Sequence, residues 1–301
     1  SNGVTKAAGP SPHPDYAAFA FALDVPAVVA RSTNELWHWS ATSINGHELP
    51  SSVYVATNGP SVAYSILDEP KLPWTDSSIT NQNVWVSALA YLTTTNVCGN
   101  STGKTNTLAS LTRYFFSGHM LIYDTDGGRS AYYHEGDTNN PAKPYWYDFS
   151  SYLTRGRGSV VNCYDQAYGL SLSGRLVGID SDVVYLLPFG YINKTDLVGV
   201  KDCNNPFYTM AGTSKLCGTN DIYREIFYNH RYVIRNGYVF DSCAGPALGT
   251  RNHQSYLDNA VDTSTTDERD LTLYQHIPTV SGKRAGDSGN AIIDSFPIQV
   301  R

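Results

Sequence analysis

Residues 223–243 read YREIFYNHRYVIRNGYVFDSC, two strand-dense runs around Asn236-Gly237. Asn-Gly between such runs is a strong hairpin signal, because both central residues of the matching two-residue turn need positive φ. That turn pairs Arg235 with Tyr238 and sets Tyr232 opposite Asp241. Opposed residues share a face of the sheet, as do residues two apart on one strand, so His230 and Asp241 fall on one face as diagonal neighbours. A slip of one residue would part them. Upstream, residues 160–174 read VVNCYDQAYGLSLSG. This predicts a helix opening at or just before Cys163, with Ala167 and Leu170 close to its face and Gly174 as a stop.

A thiol becomes a nucleophile where its thiolate is favoured, and a helix N-terminus or a neighbouring histidine does this cheaply. Gly156 and Gly158 let the chain turn in tightly before Cys163, whose own backbone N–H is then free for an oxyanion. A His–Asp pair on a hairpin is, alone, more often a structural hydrogen bond. An unpaired cysteine at a helix start, upstream in the order Cys, His, Asp, adds the missing member of a triad.

The stretch G-S-V-V-N-C-Y-D-Q-A resembles the catalytic Cys helix of the transglutaminase-like superfamily, with Cys163, Asp165 and Ala167 at the matching positions. N-H-R-Y-V-I and Y-V-F-D are similar to that family's next two motifs, a His opening one strand and an Asp closing its partner. The resemblance spans about residues 80–245. It implies a papain-like α+β core in which Cys163 is nucleophile, His230 general base and acid, and Asp241 its orienter. The sequence has no phosphate loop or dinucleotide glycine pattern, and no cofactor is expected. Arg231-Tyr232 is more polar than the family's usual strand, and the His–Asp interval of eleven residues is short. No side-chain oxyanion donor is evident: Gln166 lies past the nucleophile, leaving Trp146, Tyr147 or Asn162.

Working outward, residues 1–15 read as a loose arm and 16–78 as a β-rich region, a small sandwich or extra strands on the main sheet. Its turns are expected at Asn45-Gly46 and Asn58-Gly59-Pro60. The remainder, 79–301, forms the core with a C-terminal extension. Helical spacing appears in 83–94 and 105–116, a hairpin signal at Asp126-Gly127-Gly128, and a short helix over 252–261. Strands, then helices, then hairpins indicate α+β rather than alternating α/β.

The sequons Asn100-Ser101-Thr102 and Asn193-Lys194-Thr195, with 22 Tyr and only 21 Lys+Arg, point to a secreted glycoprotein. Five cysteines leave one over. Cys203 and Cys217 flank a polar loop and make a natural bridge; Cys98 and Cys243 are available for a second, whose connectivity spacing does not fix. A net charge of −6 argues against nucleic acid or anionic membranes as partners, and no apolar run approaches membrane-spanning length. Metal-ligand spacings such as HExxH or Cys-x-x-Cys are absent from the sequence. Gly286-Asp287-Ser288-Gly289 imitates a serine-protease motif, but only thirteen residues follow the serine, so it reads as a polar turn. The expectation is a Cys-dependent enzyme that transfers or hydrolyses acyl groups of a protein, peptide or small amide. Its rival is a non-catalytic secreted module that binds carbohydrate or protein.

Overall fold

The computed structural model of the chain describes residues 27–44, 47–76, 82–136, 144–155, 159–219, 221–262, 279–280, 283–284, 286–294 and 298–301. A first group comprises strands β1 (Ala30–Ile44) and β2 (His47–Ser65) and helices α1 (Gln82–Leu92) and α2 (Lys104–Arg113), which runs into a π-turn (Tyr114–Gly118). Next come β3 (Ile122–Tyr123), β4 (Tyr133–His134), β5 (Trp146–Tyr147), helix α3 (Phe149–Arg155) and β6 (Val160–Val161). Helix α4 (Cys163–Leu176) follows, then β7 (Asp182–Leu186), β8 (Asp196–Leu197) and α5 (Tyr208–Ala211). The chain continues with β9 (His230–Arg235), β10 (Tyr238–Asp241), β11 (Ala244–Gly245), β12 (Ala247–Asn252) and α6 (His253–Ala260). It closes with β13 (Thr279–Val280), β14 (Lys283–Arg284), a 3₁₀ turn (Ser288–Asn290), β15 (Ala291–Ile293) and β16 (Gln299–Val300). The class is α+β.

The main sheet has the order β12-β10-β9-β7-β15 and is antiparallel throughout. Asn236 and Gly237 both adopt positive φ, 51° and 79°, and the register pairs Tyr238 with Arg235 and Phe240 with Val233. The Asn-Gly turn thus sets the hairpin as its backbone demands. Helix α4 packs across β9 and β7, with α2 against its flank. Its start is fixed by a capping box. The Asn162 side chain accepts from the Tyr164 and Asp165 N–H groups, while Asp165 accepts from the Asn162 N–H. Nearly every residue of α4 is buried, so the helix is the centre of the core rather than a half-exposed layer.

Several local signals were overridden by tertiary pairing. The N-terminal strands form a two-stranded ribbon, neither a sandwich nor an addition to the main sheet. Asn58-Gly59-Pro60 sits inside β2 at a register shift, not at a turn, and the turn expected at Asn45-Gly46 lies outside the described residues. The runs around Asp126-Gly127-Gly128 do not pair with each other. β3 joins β6 in parallel and β4 joins β5, while the Asp124 carboxylate ties down the N–H groups of Asp126, Gly127 and Arg129 between them. Gly174 does not stop α4. Its missing Cβ allows close approach to Leu108, and the turn away comes at Gly178, where φ is 87° and a Cβ would meet the Asp68 carbonyl at 2.3 Å. The arm 1–15 and the glycines at 156 and 158 lie outside the described residues. Gly286–Gly289 is a tight turn feeding the edge strand β15, with Asp287 accepting from the Gly289 N–H.

All five cysteines are free thiols, so neither expected bridge is formed. Cys98 Sγ turns back to donate to the Leu92 carbonyl at 3.1 Å. Cys217 Sγ faces Asn205 and Ser214. Cys243, fully buried, lies beside Asp241 and within electrostatic reach of Cys163. Of the sequons, Asn100 is exposed. The Asn193 amide donates to the Asn259 and Val261 carbonyls, and a glycan there would displace both.

Candidate active site

Strand β9 begins at His230 and β10 ends at Asp241, and the hairpin register lays the two side chains together. His230 Nε2 bonds Asp241 Oδ2 at 2.8 Å. Both residues are buried, at 0% and 1% exposure. Asp241 is itself fixed at every lone pair: Oδ2 also accepts from Tyr256 OH at 2.6 Å, and Oδ1 accepts from the N–H groups of Cys243 and Ala244. Tyr256 comes from α6. The imidazole is clamped by aromatic rings, stacked on Phe227 at 5.1 Å and meeting Phe189 edge-on at 4.7 Å.

The other ring nitrogen, Nδ1, is buried and no described residue gives it a well-formed hydrogen bond. The neighbour acting on it is the Cys163 thiol at the first position of α4. Burial alone pulls the His230 imidazole down. The Asp241 carboxylate, by charge and hydrogen bond, and the Cys163 thiol outweigh that and lift it to about 10. The imidazolium is therefore the resting form at neutral pH. Sequence reasoning placed Cys163, His230 and Asp241 as a constellation, and the structure brings all three together.

Cys163 opens onto a cleft of about 570 Å³, in the size range of ligand-binding sites. One wall is the Gly127–Ser130 loop with Asn162 and Tyr164; the other is Phe207, Phe227 and Tyr228. Gly128 has φ 60°, and a Cβ there would lie 2.7 Å from the Phe207 ring, so glycine is what lets these walls meet. Arg129 and Glu135, both exposed, give the rim opposite charges.

The side chains expected as oxyanion donors are committed elsewhere. Asn162 Nδ2 donates to the Gly128 carbonyl and Tyr147 OH donates to the Asp165 carbonyl, while Trp146, stacked on His134 at 3.7 Å, is not among the residues lining the cleft. Gln166 is a strut: it donates to the Phe115 and Ser242 carbonyls and accepts from Tyr152 OH, joining the first turn of α4 to the residue after Asp241. The Cys163 N–H, at the first turn of the helix, has no acceptor among the described residues. Asp165 accepts from the N–H groups of Ala131, Tyr132, Tyr133 and Asn162, so it holds the β4 approach against the helix start. Burial pushes its carboxyl up to about 6 against those four bonds. Tyr256 and Gln166 were not singled out for these roles from sequence, because nothing local marks one tyrosine among 22. Among the described residues no cluster of His, Cys, Asp and Glu is arranged to hold a metal ion.

Comparison with family models, curated proteins and solved structures finds no match for the chain.

Proposed function

We propose that the chain is a Cys-dependent acyl-transfer enzyme with a papain-like core of the transglutaminase-like kind, acting on a carboxamide or peptide carbonyl. The observation that carries this reading is the His230 ring. One nitrogen is bound to an oriented carboxylate and the other is left for the Cys163 thiol, at the edge of an open cleft. Cys163 Sγ, as the thiolate paired with the His230 imidazolium, attacks the carbonyl carbon, and the carbonyl oxygen takes the negative charge against the Cys163 N–H. His230 gives its proton to the departing nitrogen as the C–N bond breaks, leaving a thioester and ammonia or an amine. Water or a second amine then adds, giving its proton to His230 as the C–S bond breaks, so that the thiolate and the imidazolium are both restored. The same steps serve hydrolysis, deamidation and transamidation.

The compartment that suits this reading is extracellular. The exposed sequon at Asn100 and the low Lys+Arg content support it. Among the described residues no helix is long and apolar enough to cross a membrane.

The test is the alkaline limb of activity. A leaving-group acid held at about 10 keeps turnover intact until pH approaches that value. Asp241→Asn removes the carboxylate charge and leaves burial opposed by the Cys163 contribution alone, so the imidazole gives up its proton at lower pH. The expected result is an alkaline limb that moves down in Asp241→Asn. A limb at the same pH in both proteins would rule out His230 as the acid. Stability should follow in the same direction. The folded His230 sits above its unfolded value, so the pair's contribution is complete below about pH 6.5 and is lost as pH rises through about 10.

A further inference from the structure

The acyl-transfer reading leaves one donor, the Cys163 N–H, facing the developing oxyanion, whereas such sites usually converge at least two. Tyr123 is the one cleft-lining tyrosine whose ring is buried within the same aromatic wall as the imidazole. Its ring packs on Phe227 at 5.6 Å and on Phe207 at 6.1 Å, and Phe227 is the ring stacked on His230. Backbone pairing fixes its place. β3 and β6 run parallel with Tyr123 beside Val161, two residues before Cys163, and the Asp124 N–H bonds the Val161 carbonyl at 2.8 Å.

The hydroxyl lies near Gly128, 3.7 Å from where a Cβ would stand. Gly128 is also the residue whose carbonyl takes the amide of Asn162, immediately before the thiol. No described residue hydrogen-bonds the Tyr123 hydroxyl, and its oxygen is not among the fully buried unsatisfied atoms. The group therefore faces the cleft unused. Its surroundings suit a donor: burial, reinforced by the charge of a Cys163 thiolate, holds the phenol well above its ordinary range, so it keeps its proton.

We propose that Tyr123 is a catalytic residue, its hydroxyl donating to the carbonyl oxygen of the acyl group attacked by Cys163 and completing a two-donor oxyanion site with the Cys163 N–H. The inference rests on the acyl-transfer reading and adds to it the group that selects a carbonyl electrophile. In the attack the phenol keeps its proton. The C=O π electrons move onto oxygen as the S–C bond forms, and return as the C–N bond breaks and the nitrogen leaves with the proton from His230.

The test compares two reactions of the same thiol in Tyr123→Phe and wild type. Acylation by p-nitrophenyl acetate passes through an oxyanion; alkylation by iodoacetamide displaces iodide at a methylene carbon and does not. Losing one donor should slow the nitrophenolate burst roughly 10²-fold and leave the alkylation rate of Cys163 within about twofold of wild type. The substitution removes only an oxygen without described partners, and a thermal melt checks that the fold is kept. An unchanged burst, or burst and alkylation falling together, would overturn the role of Tyr123 and leave the acyl-transfer reading standing. A burst of undiminished size in Cys163→Ser would overturn that reading, and this proposal with it.

Discussion

Cys163→Ser will abolish turnover while leaving the protein folded, a loss on the order of 10⁴-fold or more. The swap changes little volume at a site only 4% exposed and keeps the helix start, since the cap is built from Asn162 and Asp165 rather than from the thiol. What is lost is the nucleophile: a hydroxyl beside an imidazole that already carries its proton has no base to activate it. His230→Ala should be nearly as damaging, because Cys163 loses the imidazole that bears on it and that is oriented by Asp241. It also strands Asp241 with Tyr256 as its remaining side-chain partner and opens a void between Phe189 and Phe227. Its activity must therefore be normalised to the folded fraction. Asp241→Asn should keep partial activity, since the carboxylate orients and charges the ring without touching substrate. The measurement is the steady-state rate on a nitrophenyl ester and on a glutamine-containing peptide. Wild-type rates in Cys163→Ser would return the chain to the class of binding proteins.

Asp165→Ala is expected to be the most damaging change to the fold, on the order of 3 kcal/mol or more at neutral pH. The side chain is fully buried and accepts four backbone N–H groups, of which those of Tyr132, Tyr133 and Asn162 belong to buried residues. Alanine leaves them without an acceptor and breaks the capping box, so the cost combines a lost cap with several desolvated donors. Asp165→Asn keeps one accepting oxygen and should fall between. The pH dependence carries a sign. Burial raises this carboxyl from 3.8 to about 6, so the stability it contributes is complete below about pH 4 and diminishes as pH rises through about 6. The gap between wild type and Asp165→Ala in urea unfolding should thus be widest in acid. A gap below about 1 kcal/mol, the size of a lone cap, would show that the four bonds are not holding the helix start.

What was legible in the sequence was set by local chemistry. Asn236-Gly237 demands one turn, that turn fixes one register, and the register puts His230 and Asp241 side by side. The start of α4 and the short helix α6 were readable for similar reasons, from periodicity and flanking residues. What was not legible depends on distant partners. Residues 120–134 carry real turn chemistry in Asp124–Gly128, but the strands on either side pair with β6 and β5, far along the chain. Strand β7, an apolar run without turn signals of its own, gains its place only between β9 and the late β15. The supports of the site are hidden in the same way: Tyr256 reaches Asp241 from fifteen residues away, and Gln166 reaches the Ser242 carbonyl across the core. The expected disulfides rested on composition and loop length, which say which cysteines are available but not where each thiol points.

The most direct measurement is the site of the covalent intermediate. The protein is mixed with p-nitrophenyl acetate, quenched in acid during the burst, digested and mapped by mass spectrometry. The predicted result is a single acetyl group on Cys163, released by hydroxylamine as a thioester is, and absent from Cys217, the most exposed of the five thiols. It should fail to form in the burst when His230 is replaced by alanine. Acetylation that spares Cys163, or that marks Cys217 as readily, would contradict Cys163 as the nucleophile.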